Sequence, residues 1–201
     1  MIGLVDRGVG NVNAFANAFV RLGVRCKIVR ESSAFVGIDK FVLPGVGSFD
    51  NYVRALRKDG FADALVEVIK KEDIPILGIC VGMQALLETS EEGEEAGLGL
   101  IEGRVRRLPN SCPVRPHLGW SEVSWKSRFL DAEQKSEFYF LHSFYCDVDL
   151  QVVSGTSNLD FEFPVAIGMR NIFGVQFHPE KSHKSGSFLL NAFGNWECEQ
   201  D

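Results

Sequence analysis

The sequence predicts an α/β protein with an open, mostly parallel sheet flanked by helices and an antiparallel extension in the C-terminal half. Two observations predict it. In the first half, short apolar runs alternate with longer amphipathic stretches, and from Val105 onward strand-like runs follow one another through short turns. The first pattern builds a parallel sheet through right-handed crossovers, and the second adds neighbouring strands without helices between them.

The runs "MIGLV", "CKIV", "DKFVLPG" and "IPILGIC" are aliphatic and β-branched on both faces, as strands covered on both sides require. Between the first two, Ala14, Phe15, Ala18, Phe19 and Leu22 share one helical face, and Gly23 suits the helix C-terminus. Between the third and fourth, Val53, Leu56, Phe61, Leu65, Val68 and Ile69 keep helical spacing across an interruption at Gly60. The later runs "RVRRL", "EVSW", "EFYFLHSFYC", "VVSGTS", "PVAIGMR" and "IFGVQFH" read as strands, and a C-terminal helix is expected from about Gly186 to Trp196. No repeat, low-complexity stretch or linker divides residues 1–201, so one domain is expected.

Composition narrows the function. The 201 residues are 45% hydrophobic and 24% charged, enough to bury a substantial core, and the net charge of −6 argues against a nucleic-acid surface. No stretch resembles a signal peptide or is long and apolar enough to span a bilayer, so neither nucleic acid nor membrane is expected as a partner, and a cytoplasmic location is. The five cysteines (Cys26, Cys80, Cys112, Cys146 and Cys198) include no C-x-x-C pair, which points to reduced thiols with no metal site. No phosphate loop or Cys/His cluster calls for a cofactor; the glycines around Gly8 are too short a run.

Cys80 stands at the end of the fourth strand in the turn Gly78-Ile79-Cys80-Val81-Gly82. G-x-C-x-G is sterically like the nucleophile elbow G-x-S-x-G, whose glycines admit neighbouring chain around a strained central residue. A helix following the turn would favour thiolate over thiol, and the Val81 N–H could bind an oxyanion. The competing reading is a small buried hydrophobe, the common fate of a free cysteine.

A nucleophile needs a base, and the chain offers four histidines. His178 closes "IFGVQFHPE", with Glu180 two residues on, so Cys80, His178 and Glu180 supply nucleophile, base and orienting acid. His142 in "FYFLHSFYC" competes but has no carboxylate nearby in sequence; His117 and His183 read as structural or surface residues. The third strand ends in "PGVG", whose glycines leave backbone N–H groups unencumbered for an oxyanion hole, or simply make a turn.

Together, "GICVGMQ", "HPE" and "PGVG" resemble the class I, or triad, glutamine amidotransferases, a flavodoxin-like family, over nearly the whole chain. "GVGN", "LPGVGSF", "LIEGRVRRLP", "PHLGW" and "GVQFHPEKS" look most like the glutaminase subunits of imidazole glycerol phosphate synthase. The resemblance implies that Cys80 attacks the glutamine amide to give a glutamyl thioester, and that His178, oriented by Glu180, protonates ammonia and then activates water. It further implies an oxyanion hole of Val46, Gly47 and Val81, assembled when the partner binds its own ligand through a peptide flip at Val46. Gln84, Glu92, Ser143 and Phe144 are implied to hold the amino-acid end of glutamine, and Asn11 and Lys181 to face the partner. That partner is implied to be a (β/α)8 cyclase subunit, in a one-to-one heterodimer that consumes the ammonia in histidine biosynthesis.

Arg7, Ala14 and Phe144 depart from the residues the resemblance leads one to expect; the first two are expected at the partner face and the third at the edge of the glutamine pocket. Two other readings stand beside this one: a paralogous glutaminase feeding a sugar amidotransferase in surface-polysaccharide synthesis, and a non-catalytic α/β regulatory module.

Overall fold

The computed structural model describes residues 1–126 and 136–196, and Cys198 lies outside them. The first half alternates as the sequence predicts: β1 (Ile2–Val5), α1 (Val12–Arg21), β2 (Cys26–Val29), β3 (Lys40–Gly45), α2 (Phe49–Arg57), α3 (Phe61–Glu72) and β4 (Ile76–Cys80). In α1 the buried residues Val12, Phe15, Ala18 and Phe19 form one stripe, and Gly23 turns the chain with φ +71°. The break at Gly60 is a single 3-10 turn in which Asp59 and Gly60 adopt φ 58° and 69°, so α2 and α3 are separate helices.

β4 leads into α4 (Val81–Gln84), which is one turn long. The expectation of a helix whose dipole acts on Cys80 is corrected here: four residues supply a few unpaired N–H groups but little macrodipole. The second half contains β5 (Thr89–Ser90), β6 (Arg104–Arg107), β7 (His117–Trp125), β8 (Ser136–His142), β9 (Phe144–Asp147), β10 (Val153–Asn158), β11 (Glu162–Met169), β12 (Ile172–Val175) and α5 (His183–Asn195). Helix α5 begins three residues earlier than expected and ends before Trp196.

Among the described residues one sheet runs β2-β1-β3-β4-β12-β11-β10-β7-β8, and β5-β6-β9 form a second. The first five strands of the large sheet are parallel and the remainder antiparallel. Two sequence readings change. "IFGVQFH" is not purely part of the antiparallel extension, because β12 pairs parallel with β4 on one side and antiparallel with β11 on the other. "EFYFLHSFYC" is two strands, since the chain breaks at Ser143 and passes from the large sheet at β8 to the small one at β9. Gly45 of β3 lies in register with Cys80 of β4, with β12 beside them, so three carboxyl ends of parallel strands converge where an open α/β sheet places its ligands.

Arg7 is also corrected. Its guanidinium turns inward and donates to the carbonyls of Ala55 (3.0 Å), Arg30 (2.5 Å) and Lys58 (2.8 Å), with its carbon 4.9 Å from the Phe61 ring centroid. It ties the first loop to α2, β2 and α3 rather than presenting a partner face.

Candidate active site

The elbow exists because three glycines let chain press on chain. A Cβ at Gly82 would lie 1.8 Å from the Leu43 carbonyl oxygen, one at Gly78 2.6 Å from the Gly82 carbonyl oxygen, and one at Gly45 2.4 Å from the Gly82 nitrogen. Between them Cys80 is held at φ 55°, ψ −112°, a conformation costly for a residue with a side chain and retained only where the surroundings over-determine it. Tyr52 braces the same knot, its hydroxyl donating to the Pro44 carbonyl at 3.1 Å.

His178 lies three residues beyond β12, its N–H donating to the Tyr139 carbonyl at 2.9 Å. Its Nδ1 is 2.9 Å from Glu180 Oε1, and both side chains are about 5% exposed or less. Burial alone would lower the His178 pKa, but hydrogen bonds with Cys80 and Glu180 outweigh it and raise the value to about 9. The imidazolium is therefore the form this pocket favours. The other Glu180 oxygen is buried without a partner among the described residues.

Cys80 and His178 border a cavity of about 380 Å³ that is also lined by Val46, Gly47, Val81, Gln84, Glu92, Ser143, Phe144 and Lys181, while Glu180 reaches the site through His178. A larger cavity of about 600 Å³, carrying Arg107 and Arg115, shares Pro116 and Ser143 with it. The structure thus brings together every sequence-predicted site residue except Asn11, which sits exposed just before α1. Gln84 is buried rather than on a solvated helix face, and its Nε2 donates to Gln176 Oε1 at 3.1 Å. Glu92 accepts from the Phe49 N–H at 2.8 Å, which fixes its carboxylate at the cavity wall. Phe144 is buried with the Arg107 guanidinium 5.1 Å from its ring centroid. The Val46 N–H is committed to the Val9 carbonyl at 3.0 Å, so this predicted oxyanion donor is occupied. The Val81 N–H opens α4 and has no carbonyl of its own helix to bond.

Sequence reading missed Gln176, which is fully buried and whose Nε2 lies 3.7 Å from Cys80 Sγ. The available signal was spacing: two residues before His178 on an extended run places it on the same face. His142, the rival base, is excluded by geometry, because both its nitrogens are engaged elsewhere, with the Phe144 carbonyl and His117. A strained thiol, a buried imidazole–carboxylate pair and nearby N–H groups form the set needed for acyl transfer through a thioester.

The family model "Glutamine amidotransferase class-I" matches residues 3–194. The chain belongs to the class I glutamine amidotransferases. It is 42% identical to an imidazole glycerol phosphate synthase subunit HisH from Leptospira interrogans, covering 97% of this chain and 100% of the relative. A protein of the same name from Bdellovibrio bacteriovorus is 41% identical, covering 96% and 98%. Solved structures share the fold: a glutamine amidotransferase crystal structure aligns with a TM-score of 0.77 at 20% identity over 96% of this chain and 98% of that one. PurLQS from Thermotoga maritima aligns with a TM-score of 0.77 at 17% identity, over 96% and 97%. Membership in this amidotransferase family makes the α/β architecture and the glutamine-dependent chemistry properties of the chain itself. Among the described residues no helix is long and apolar enough to cross a membrane.

Proposed function

We propose that this chain, as one domain, is the cytoplasmic glutaminase subunit of an imidazole glycerol phosphate synthase, supplying ammonia to histidine biosynthesis. The observation that carries the chemistry is that Cys80, at positive φ, and His178 line one cavity, with the buried Glu180 paired to His178 Nδ1. The partner rests on relatives of that name at about 40% identity over nearly the whole chain.

Cys80 Sγ attacks the side-chain carbonyl carbon of glutamine, forming a C–S bond, and the C–N bond breaks as His178 Nε2 gives its proton to the departing ammonia. Neutral His178 then takes a proton from water as that water attacks the thioester, releasing glutamate and the thiolate. Glu180 accepts the Nδ1 hydrogen bond, fixing the imidazole through both steps. Val81 and Gly47 N–H groups receive the developing oxyanion, and Val46 joins them once its peptide leaves the Val9 carbonyl; that requirement fits an enzyme quiet until its partner is loaded. Gln84, Glu92, Ser143 and Phe144 hold the amino-acid end of the substrate. The reading requires no metal and no organic cofactor.

The partner is a (β/α)8 cyclase subunit in a one-to-one heterodimer. An apolar rim suits it: Val46 and Leu141 line the cavity and are exposed, and the exposed Leu118 lies across from Leu141 in the β7–β8 register. Lys181, over the Tyr139 ring at 5.5 Å, and Asn11 complete that face. The test has two arms. A diazo-ketone analogue of glutamine should modify Cys80 selectively, located by mass spectrometry, and the purified cyclase should co-elute at equal stoichiometry. Absence of Cys80 labelling even with the partner present contradicts the enzyme reading.

A further inference from the structure

The proposed mechanism leaves two buried histidines unused. His117 opens β7, His142 closes β8, and the two are directly paired in the strand register. Both are nearly inaccessible, at 2% and 6% exposure. His142 Nδ1 is 2.7 Å from the Phe144 carbonyl oxygen, His142 Nε2 is 2.9 Å from His117 Nδ1, and His117 Nε2 is 2.7 Å from Ser121 Oγ. The Phe140 ring stacks on His117 at 4.5 Å between centroids, with Phe163 at its edge.

These contacts fix the direction of every proton. A carbonyl can only accept, so His142 carries its proton on Nδ1 and, being neutral, presents a bare Nε2. His117 must then donate from Nδ1, which leaves its Nε2 to accept from the Ser121 hydroxyl. The result is a one-way chain, Ser121 to His117 to His142, ending on Phe144. Burial supports the neutral forms, holding His117 down to about 4 and His142 to about 3.

The end of the chain is where the polypeptide crosses from one sheet to the other. Ser143 is the break, and its carbonyl accepts from the Leu108 N–H at 2.9 Å. A trans peptide directs the Phe144 N–H opposite to that carbonyl. With the next carbonyl tied to His142, both peptide planes of the corner are held. Ser143 and Phe144 both line the Cys80 cavity, and the Leu141 carbonyl lies 4.0 Å from Cys80 Sγ.

We propose that His117 and His142 are substrate-positioning residues: their one-way hydrogen-bond chain holds the Ser143–Phe144 corner in the conformation that receives the amino-acid end of glutamine. The proposal rests on the glutaminase reading above. It predicts that breaking the chain weakens recognition of the substrate's α-amino and α-carboxylate end while leaving the sulfur intact.

Two electrophiles separate these effects. A diazo-ketone analogue of glutamine must be recognised by its amino-acid end, whereas iodoacetamide reacts with Cys80 without that recognition. In His142→Phe and His117→Phe, inactivation by the analogue should slow about tenfold through weaker binding, the loss of a buried hydrogen bond's worth of affinity. Iodoacetamide should react within about twofold of wild type. His142→Asn, which keeps a donor near the Nδ1 position, should recover most of the analogue rate. The glutamine KM should follow the analogue, with kcat little changed.

Analogue rates equal to wild type in both phenylalanine variants overturn the proposal. So does equal slowing toward both electrophiles, the mark of general disruption, in whichever of the two variants folds. Failure of the analogue to label wild-type Cys80 instead overturns the glutaminase reading itself.

Discussion

Replacing Gly82 by alanine tests whether the elbow is built by close chain approach. The new Cβ would lie 1.8 Å from the Leu43 carbonyl oxygen, and that neighbour is backbone, so it cannot swing aside. A carbon–oxygen contact settles near 3.3 Å, leaving about 1.5 Å for β3 and the elbow to yield. Overpacking of this kind costs about 1–3 kcal/mol or more. For a chain of 201 residues that is a fall in Tm of roughly 2–12 °C. Activity should suffer more, because Cys80 is two residues away and a misplacement near 1 Å costs about 10²-fold. Gly194→Ala is the control: its Cβ would meet only the Val24 side chain at 3.2 Å or more, and alanine favours helix α5 by about 1 kcal/mol. Calorimetry and glutamate release, measured with the partner present, read both effects. A Gly82→Ala protein within 2 °C of wild type and retaining more than half its kcat would refute the reasoning.

Other predictions follow from particular contacts. Glu180→Gln leaves His178 in place but removes its charged acceptor, so kcat should fall by about 10²–10⁴-fold with KM little changed, measured by steady-state glutamate release. Arg7→Ala removes three hydrogen bonds to carbonyls and a ring contact, and should lower unfolding free energy by about 2–3 kcal/mol in urea titrations, without abolishing Cys80 labelling. His117 and His142 have folded pKa values depressed from 6.5 to about 4 and about 3, so the unfolded chain binds protons that the folded one refuses. Their contribution is complete above pH 6.5 and is lost as pH falls toward 4, by about 1.4 kcal/mol for each histidine at pH 5.5. His178, raised to about 9, works the other way: the folded chain already holds its proton at pH 7.5 and only the unfolded chain takes one up on acidification to 5.5, which offsets about 1.4 kcal/mol of that loss. Denaturation at pH 7.5 and 5.5 should show the net fall of about 1.4 kcal/mol, and the double variant His117→Phe, His142→Phe should abolish it.

Much of the fold was legible because the signals were local. Apolar runs marked β1 to β4, of which β1 and β4 are buried on both faces and the edge strand β2 is only half-buried, and the glycines around Cys80 marked the elbow whose strained φ the structure bears out. The pairing of His178 with Glu180 was readable because the two are separated by one residue. What escaped depended on contacts distant in sequence. Arg7 looked like a surface departure because its three carbonyl partners lie 23 to 51 residues away. The break at Ser143 was hidden inside an unbroken apolar run, since composition does not report which sheet a strand joins. The one-turn length of α4 escaped because the residues that follow it, Ala85, Leu86 and Leu87, are buried in the core whether or not the helix continues. Gln176 and the His117–His142 chain were invisible for the same reason: each is defined by a partner across the sheet.

In the proposed function Cys80 releases ammonia from glutamine under control of a cyclase partner. It is tested most directly by glutamate release from the purified chain, alone and with a cyclase subunit carrying its ribulosyl ligand, using Cys80→Ala as the blank. A small Cys80-dependent rate alone and a large rise with the loaded partner are expected. Absence of Cys80-dependent glutamate under both conditions would contradict that function, while a Cys80-dependent rate that the cyclase leaves unchanged would keep the chemistry and overturn the partner.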